Sequence, residues 1–231
     1  MKKQGWLVLS VLVLTICLTG APAHAQDGKF SLFAGYSFGT NNYYSDDPGL
    51  HGYAADVAYN LNKHIGLEAN FSGHNGTSTI YTDVYAAVDN SYNEVVRQDL
   101  YSYTFGPKLS LPVGHFSLFT HFLVGATHVH NGETDSCVPG TGSGAETCST
   151  SYPYHDSSHG NGFAFKVGGG VDWNHGHWGV RVLEVDYVHS EVSATETESC
   201  TGCTADTYTY PQAANDFELA TGVTFNIGGA K

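Results

Sequence analysis

The sequence predicts an all-β protein: an eight-stranded antiparallel up-and-down transmembrane β-barrel. Three observations carry that expectation. Hydrophobicity alternates with period two in eight separate segments, and nothing after residue 25 has helical periodicity. Short and long connections alternate strictly along the chain, as they do in barrels that cross a membrane. Finally, one face of the segments is apolar while the other carries fixed charges, which a dry soluble core would not tolerate together.

The elements follow in order. Residues 1–25 read as a cleavable secretory signal. Lys2 and Lys3 give the positive start, LVLSVLVLTICLTG the apolar stretch, and Ala23-His24-Ala25 a small-x-small cleavage site. Cys17 lacks the small residue that a lipoprotein signal places just before its cysteine. Residues 26–231 then form the barrel domain.

Segment one, KFSLFAGYSFG, aligns Phe30, Leu32, Ala34, Tyr36 and Phe38 on one face; segment two, GYAADVAYNL, aligns Tyr53, Ala55, Val57, Tyr59 and Leu61. Segment three, IGLEANFSG, sets Ile65, Leu67, Ala69 and Phe71 against Glu68, Asn70 and Ser72. Segment four is LYSYTFGPKLSL, where Pro107 suggests a bulge, because proline cannot donate to a central ladder. Segment five is FSLFTHFLVGATHVH, and segment six is GFAFKVGGGVDW. Segment seven, WGVRVLEVDYVHSEV, changes parity between Arg181 and Glu184, so a β-bulge is expected at Val182-Leu183. Segment eight is FELATGVTFNI. The short connections are 62–64, 112–115 and 174–177. The long polar ones are 40–51, 73–99, 131–161 and 193–216, with the third and fourth segments able to continue as a hairpin inside 73–99.

Composition narrows the functions. The chain has 9 Lys+Arg against 22 Asp+Glu, a net charge of −13. Without Lys2 and Lys3 the balance is 7 against 22, or −15, which argues against nucleic-acid binding. Aromatics fall into two girdles. Phe30, Tyr59, Phe116, Trp173, Trp178 and Phe225 lie near the short turns; Tyr36, Phe38, Tyr53, Tyr101, Tyr103 and Tyr187 lie near the long connections. The opposite face holds Asp56, Glu68, Lys108, Lys166, Arg181, Glu184, Asp186 and Glu218.

These features together resemble the small outer-membrane barrels of the OmpA/OmpX-like superfamily. The resemblance rests on the signal segment, the FAGYSF opening strand, the hairpin VAYNLNKHIGLEANFSG, the strand FAFKVGGGVDW and the closing TGVTFNI. It implies a location in the bacterial outer membrane, with both termini periplasmic and the long connections external. It also implies outer-membrane lipid as the surrounding medium, a monomer, and delivery by the barrel-assembly machinery. Gly222, Phe225 and Ile227 match that machinery's C-terminal signal, although Ala220 and the trailing GGAK depart from it.

Eight strands leave an interior that side chains nearly fill. The inward charges therefore read as a network that holds the barrel together, with Glu68 and Lys108 within ion-pair reach and Arg181 and Glu184 in the same layer. The alternative is a narrow channel for ions or small solutes. The acidic loops suggest an external surface ligand, in a structural or surface-interaction role. His128, His130, His155, His159 and His189 offer a third reading, metal handling at the surface, but no metal motif or cofactor is implied. For catalysis, His189 with Asp186 or Glu191 is the one attractive set, and no enzyme is expected. Cys137, Cys148, Cys200 and Cys203 form an even set in an oxidising compartment. Three pairings are open. Cys137–Cys148 and Cys200–Cys203 are favoured as local, over a bond that ties the two loops together.

Overall fold

The computed structural model describes residues 29–40, 49–83, 91–138, 154–200 and 204–228. The signal segment 1–25 lies outside them. Eight strands form one closed antiparallel barrel in chain order: β1 (Phe30–Gly39), β2 (Leu50–Asn60), β3 (Ile65–Asp83), β4 (Ser91–Val113), β5 (Phe116–Val138), β6 (Tyr154–His175), β7 (Trp178–Cys200) and β8 (Asp206–Ile227). β1 and β8 close the ring with Phe30 opposite Ile227 and Gly39 opposite Glu218. No helix among the described residues is long and apolar enough to cross a membrane; the strands cross instead.

Alternation decides which side chains turn inward. Along β3 the even residues Glu68, Asn70 and Ser72 are buried, while Ile65, Leu67 and Ala69 are exposed. The same parity exposes Val57, Phe105, Phe122, Val124, Phe163, Val167, Phe217 and Val223 on the outer wall, the apolar band that lipid requires. Phe30, Tyr36, Phe38, Tyr53, Tyr59, Tyr101, Tyr103, Phe116, Trp173, Trp178, Tyr187 and Phe225 share this outer face. Pairs such as Phe30–Tyr59 and Trp178–Phe225, with ring centroids 5.1 and 4.6 Å apart, sit at the short-turn end.

Two hairpins are tighter than the sequence suggested. Val113 pairs with Phe116 and His175 with Trp178, which leaves two-residue turns at 114–115 and 176–177. Gly114 and Gly176 open them at φ 62° and 64°, the positive values that such hairpin turns need at their first position. The turn between β2 and β3 runs from 61 to 64. There the Asn62 Oδ1 accepts from the backbone N–H of His64 and Ile65 at 2.8 and 3.0 Å.

The bulge in β7 is real and has a purpose. Opposite β8 the register shifts between Arg181 and Glu184, and Val182 and Leu183 both face outward. The shift turns Arg181 and Glu184 inward together. Thr221 Oγ1 donates to the Arg181 carbonyl at 2.9 Å, and so satisfies a backbone group that the bulge leaves out of the ladder. Pro107 is different. It pairs with Leu67 on β3, and the register toward β5 is the same on either side of it, Phe105 with Val124 and Lys108 with His121. No bulge is needed: Gly106 and Pro107 simply drop out of the β5 ladder without a shift.

The larger correction concerns the long connections. The hairpin expected inside 73–99 is present, with Asp83 opposite Ser91, but 131–138, 154–161, 193–200 and 206–216 are strand as well, and their polar residues pair in continuous ladders. β1 and β2 have 10 and 11 residues, enough to cross a bilayer, whereas β3 to β8 have 19 to 23. A crossing takes about 9–11 tilted residues, so half of each long strand stands clear of the lipid. Threonine and tyrosine favour such strands, and threonine pairs meet across them: Thr195 with Thr209 at 3.1 Å, Thr197 with Thr207 at 3.4 Å. Above Gly39 and Leu50, β1 and β2 add no further ladder pairs among the described residues. There β8 pairs only with β7, and β3 only with β4, among the described residues.

Candidate functional site: a filled lumen beneath an acidic vestibule

Every inward charge of the membrane-spanning half finds a partner across the barrel. Closest to the short turns, Arg181 is 1% exposed and Nε donates to Asp172 Oδ1 at 2.9 Å, while Nη1 donates to both Asp56 and Glu184. Its guanidinium carbon lies 4.0 Å from the Phe33 ring centroid and 4.5 Å from that of Phe119. A weakly hydrated planar cation suits such a slot between rings.

The next layer centres on Glu68, which is wholly buried. One carboxylate oxygen accepts from Lys108 Nζ at 2.5 Å and the other from His121 Nδ1 at 2.7 Å. His121 Nε2 lies 2.9 Å from Asp186 Oδ1. Carboxylates only accept, so both ring nitrogens donate and His121 is an imidazolium. Above it, Lys166 Nζ donates to Glu218 Oε2 at 2.8 Å and Asn70 Oδ1 at 3.0 Å, with Asp186 Oδ2 3.6 Å away. Six carboxylates, of Asp56, Glu68, Asp172, Glu184, Asp186 and Glu218, thus face four cations. Neutral donors complete the set: Ser37 and Ser72 donate to Glu218 at 3.0 and 3.2 Å, and Asn70 to Asp56 at 2.5 Å.

Glycine makes room for this network. A Cβ on Gly168 of β6 would lie 2.0 Å from Asp186 Oδ1 and 2.2 Å from the Val185 carbonyl oxygen. Toward the long ends the charged layers give way to apolar side chains mixed with neutral polar ones such as Gln98, Ser102, Thr127 and Ser190. Leu123, Ala164 and Val188, then Leu50, Val192, Ala194 and Val96, are buried on the inner face, and a cavity of about 60 Å³ there is bordered by Leu50 and Val192 together with Gln98, Gln212 and Asp216.

Beyond that seal the inner face turns acidic. Glu94, Glu133 and Asp135 bring carboxylate oxygens within 4.8 Å of one another, and so do Asp156, Glu196 and Glu198. Among the described residues no Lys or Arg pairs with any of them. Burial, then the hydrogen bond and charge of Glu196, push Asp156 up to about 7. Burial and the Asp135 charge raise Glu94, and burial with three neighbouring acids raises Glu133. Tyr208 donates to Glu198 Oε1 at 2.9 Å.

Reading the sequence alone misses His121 and Asp172. The signal was parity: His121 alternates with Leu123 and Thr127, and Asp172 stands between the outward Val171 and Trp173. The histidine set proposed for metal does not converge. His128, His130, His155, His159 and His189 lie on the outer face of three strands, and no metal-capable triad among the described residues includes one of them. Of the two catalytic pairings, the structure separates His189 from Asp186 and brings it beside Glu191. Asp186 points inward to His121, while His189 lies outside, bonded to Asn215 Oδ1 at 2.8 Å with Glu191 3.6 Å away. Cys137 is disulfide-bonded; Cys148, Cys203 and the Cys200 side chain lie outside the described residues, and with them both favoured pairings. On β8, Gly222 faces inward, and Phe225 and Ile227 lie on the outer wall at the short-turn end.

Residues 9–142 match the family model described as outer membrane protein beta-barrel domain. No curated protein sequence matches. Solved structures do. A major outer membrane protein from Thermus thermophilus is 10% identical with a TM-score of 0.54, over 87% of this chain and 100% of that one. Ail, the attachment invasion locus protein of Yersinia pestis, is 16% identical with a TM-score of 0.43, over 86% and 99%. OprG of Pseudomonas aeruginosa is 8% identical with a TM-score of 0.46, over 88% and 98%.

Proposed function

This chain belongs to the outer membrane protein β-barrel domain family, and from that premise we propose that it is a non-conducting surface protein of the outer membrane. Its role is to hold an acidic, β-structured wall outside the cell for a cationic partner. The observation that carries this reading is the division of the interior. The lumen within the membrane is filled by mutually paired charges and capped by Leu123, Val188 and Val192. The part beyond it displays carboxylates that no cation of the described residues neutralises.

A transport role would need a continuous wet path. Here the charged side chains of the membrane-spanning half are paired across the barrel, and breaking such a pair is costly. A surface role needs a rigid, exposed platform, which the continuous ladders of β3 to β8 supply. The short turns face the periplasm and the strand extensions face outward, following the usual asymmetry of such barrels.

Binding to a cationic surface tests the reading. Proteoliposomes carrying the refolded chain should adhere to a polylysine-coated sensor at low salt. A variant with Glu94, Glu133, Asp156 and Glu196 all changed to their amides should lose most of that adhesion. Equal adhesion by the variant would refute an acidic recognition surface.

A further inference from the structure

The opposite mouth of the barrel has the reverse chemistry. A basin of about 630 Å³ opens at the short-turn end, and Lys29, Lys63 and Lys108 all border it. Residues 26–231 contain seven lysines and arginines in total, so a chain poor in cations places three around one cavity. Among the described residues the basin's one acid, Asp172, is held by Arg181 at 2.9 Å. Lys108 is committed to Glu68. Lys29 and Lys63 are exposed, and neither has a carboxylate within 4.0 Å among the described residues. Lys29 Nζ lies 5.8 Å from the Tyr59 ring centroid.

The amides on the wall are donors as well. The oxygen of Asn62 is taken by the N–H groups of His64 and Ile65, and that of Asn174 by Asn226 Nδ2 at 3.2 Å. Each therefore offers the basin its NH₂ group. The turns around it, NLNKH at 60–64, PVGH at 112–115 and NHGH at 174–177, contain no acid. A concave, donor-lined site with an excess of positive charge concentrates counter-ions.

We infer that this basin binds a phosphate group, held by the ammonium groups of Lys29 and Lys63 and by the amides of Asn62 and Asn174. Point-charge lysines and amides that converge from several strands suit a tetrahedral oxyanion; a planar carboxylate is better met by the fork of an arginine. The phosphate can belong to a soluble small molecule or to a lipid headgroup at the membrane rim.

The test uses the full chain refolded in maltoside micelles at low salt and titrated with inorganic phosphate, with side-chain amide signals of Asn62 and Asn174 followed by NMR. Saturable shifts at these amides are expected, weakening as salt rises. The double variant Lys29→Gln/Lys63→Gln should bind at least about tenfold more weakly, since charged hydrogen bonds are lost. Arg97→Gln removes the same kind of charge far from the basin and should change nothing. Unchanged gel mobility before and after heating, relative to the parent, shows that each variant has folded. If the same shifts arise in phosphatidylglycerol nanodiscs without added phosphate, the site stands and a lipid headgroup is its source. An absence of saturable shifts, an unaltered double variant, or an equal loss in Arg97→Gln would overturn the inference.

Discussion

Two sets of inward carboxylates occupy one barrel, and they live under different rules. In the membrane-spanning half, Asp56, Glu68, Asp172, Glu184, Asp186 and Glu218 are matched by Arg181, Lys108, Lys166 and His121. In the extension, Glu94, Glu133, Asp135, Asp156, Glu196 and Glu198 have no lysine or arginine partner among the described residues, and lie beside one another and hydroxyl groups such as that of Tyr208. The backbone is the same continuous ladder in both. What differs is access to water. A buried charge without a partner costs roughly several kcal/mol, so in the lipid-embedded half every carboxylate has a cation beside it. The extension stands in solvent, where repulsion is screened and an unbalanced acidic face is tolerated. The same side-chain type is therefore mortar in one region and surface in the other.

The largest effect should come from breaking the paired half. Arg181→Met strands three carboxylates at once, and an unfolding free energy lowered by about 3–5 kcal/mol or more is expected in denaturant titrations from micelles. Lys108→Met should cost less, because His121 still pairs with Glu68. Equal stability of Arg181→Met and the parent would break the comparison. Next comes Gly168→Ala, which drives a methyl group toward Asp186 and the Val185 carbonyl. A loss of about 1–3 kcal/mol is expected, as for other overpacked interiors, read by the same titration.

The unbalanced half should respond to pH instead. Asp156 binds its proton more tightly folded than unfolded, so the extension gains stability as pH falls through about 7 toward the ordinary carboxylate value near 4. Amide exchange in 154–160 and 193–198 should slow between about pH 8 and about pH 5.5, after correction for intrinsic rates. Asp156→Asn should reproduce the slowing at the higher pH and add nothing at the lower. Solvent screening keeps this effect below about 1 kcal/mol. Faster exchange at the lower pH would contradict the assigned sign. The smallest effect belongs to Arg97, whose side chain is 71% exposed and 3.6 Å from Asp99. Arg97→Gln should change stability by less than about 0.5 kcal/mol, unlike any lumen cation.

Much of the embedded half was legible because lipid enforces period two without exception. Glu68, Lys166 and Glu218 could be turned inward by parity alone, and the parity break at Val182-Leu183 marked the bulge. The extension was harder to read because water relaxes that rule. TETE at 195–198 and TYTY at 207–210 alternate, yet both faces are polar, so no hydrophobic pattern separates strand from loop. His121 was obscured by the apolar run around it, and Asp172 by the aromatic and glycine residues beside it. Cross-barrel partners such as Arg181 with Asp56, or Lys166 with Glu218, depend on strand tilt and shear, which local sequence does not carry. That the ladders of β1 and β2 stop at Gly39 and Leu50 among the described residues, while those of the other strands run on, is visible only in the pairing.

Planar-bilayer recording of the refolded chain tests the central claim, that paired charges and the apolar cap close the lumen. The account predicts no steady conductance for the parent, with openings appearing in a variant that trims the cap and the network together, Leu123→Ala with Lys166→Ala. A steady, ion-selective conductance in the parent, abolished when the protein is left out, would contradict it.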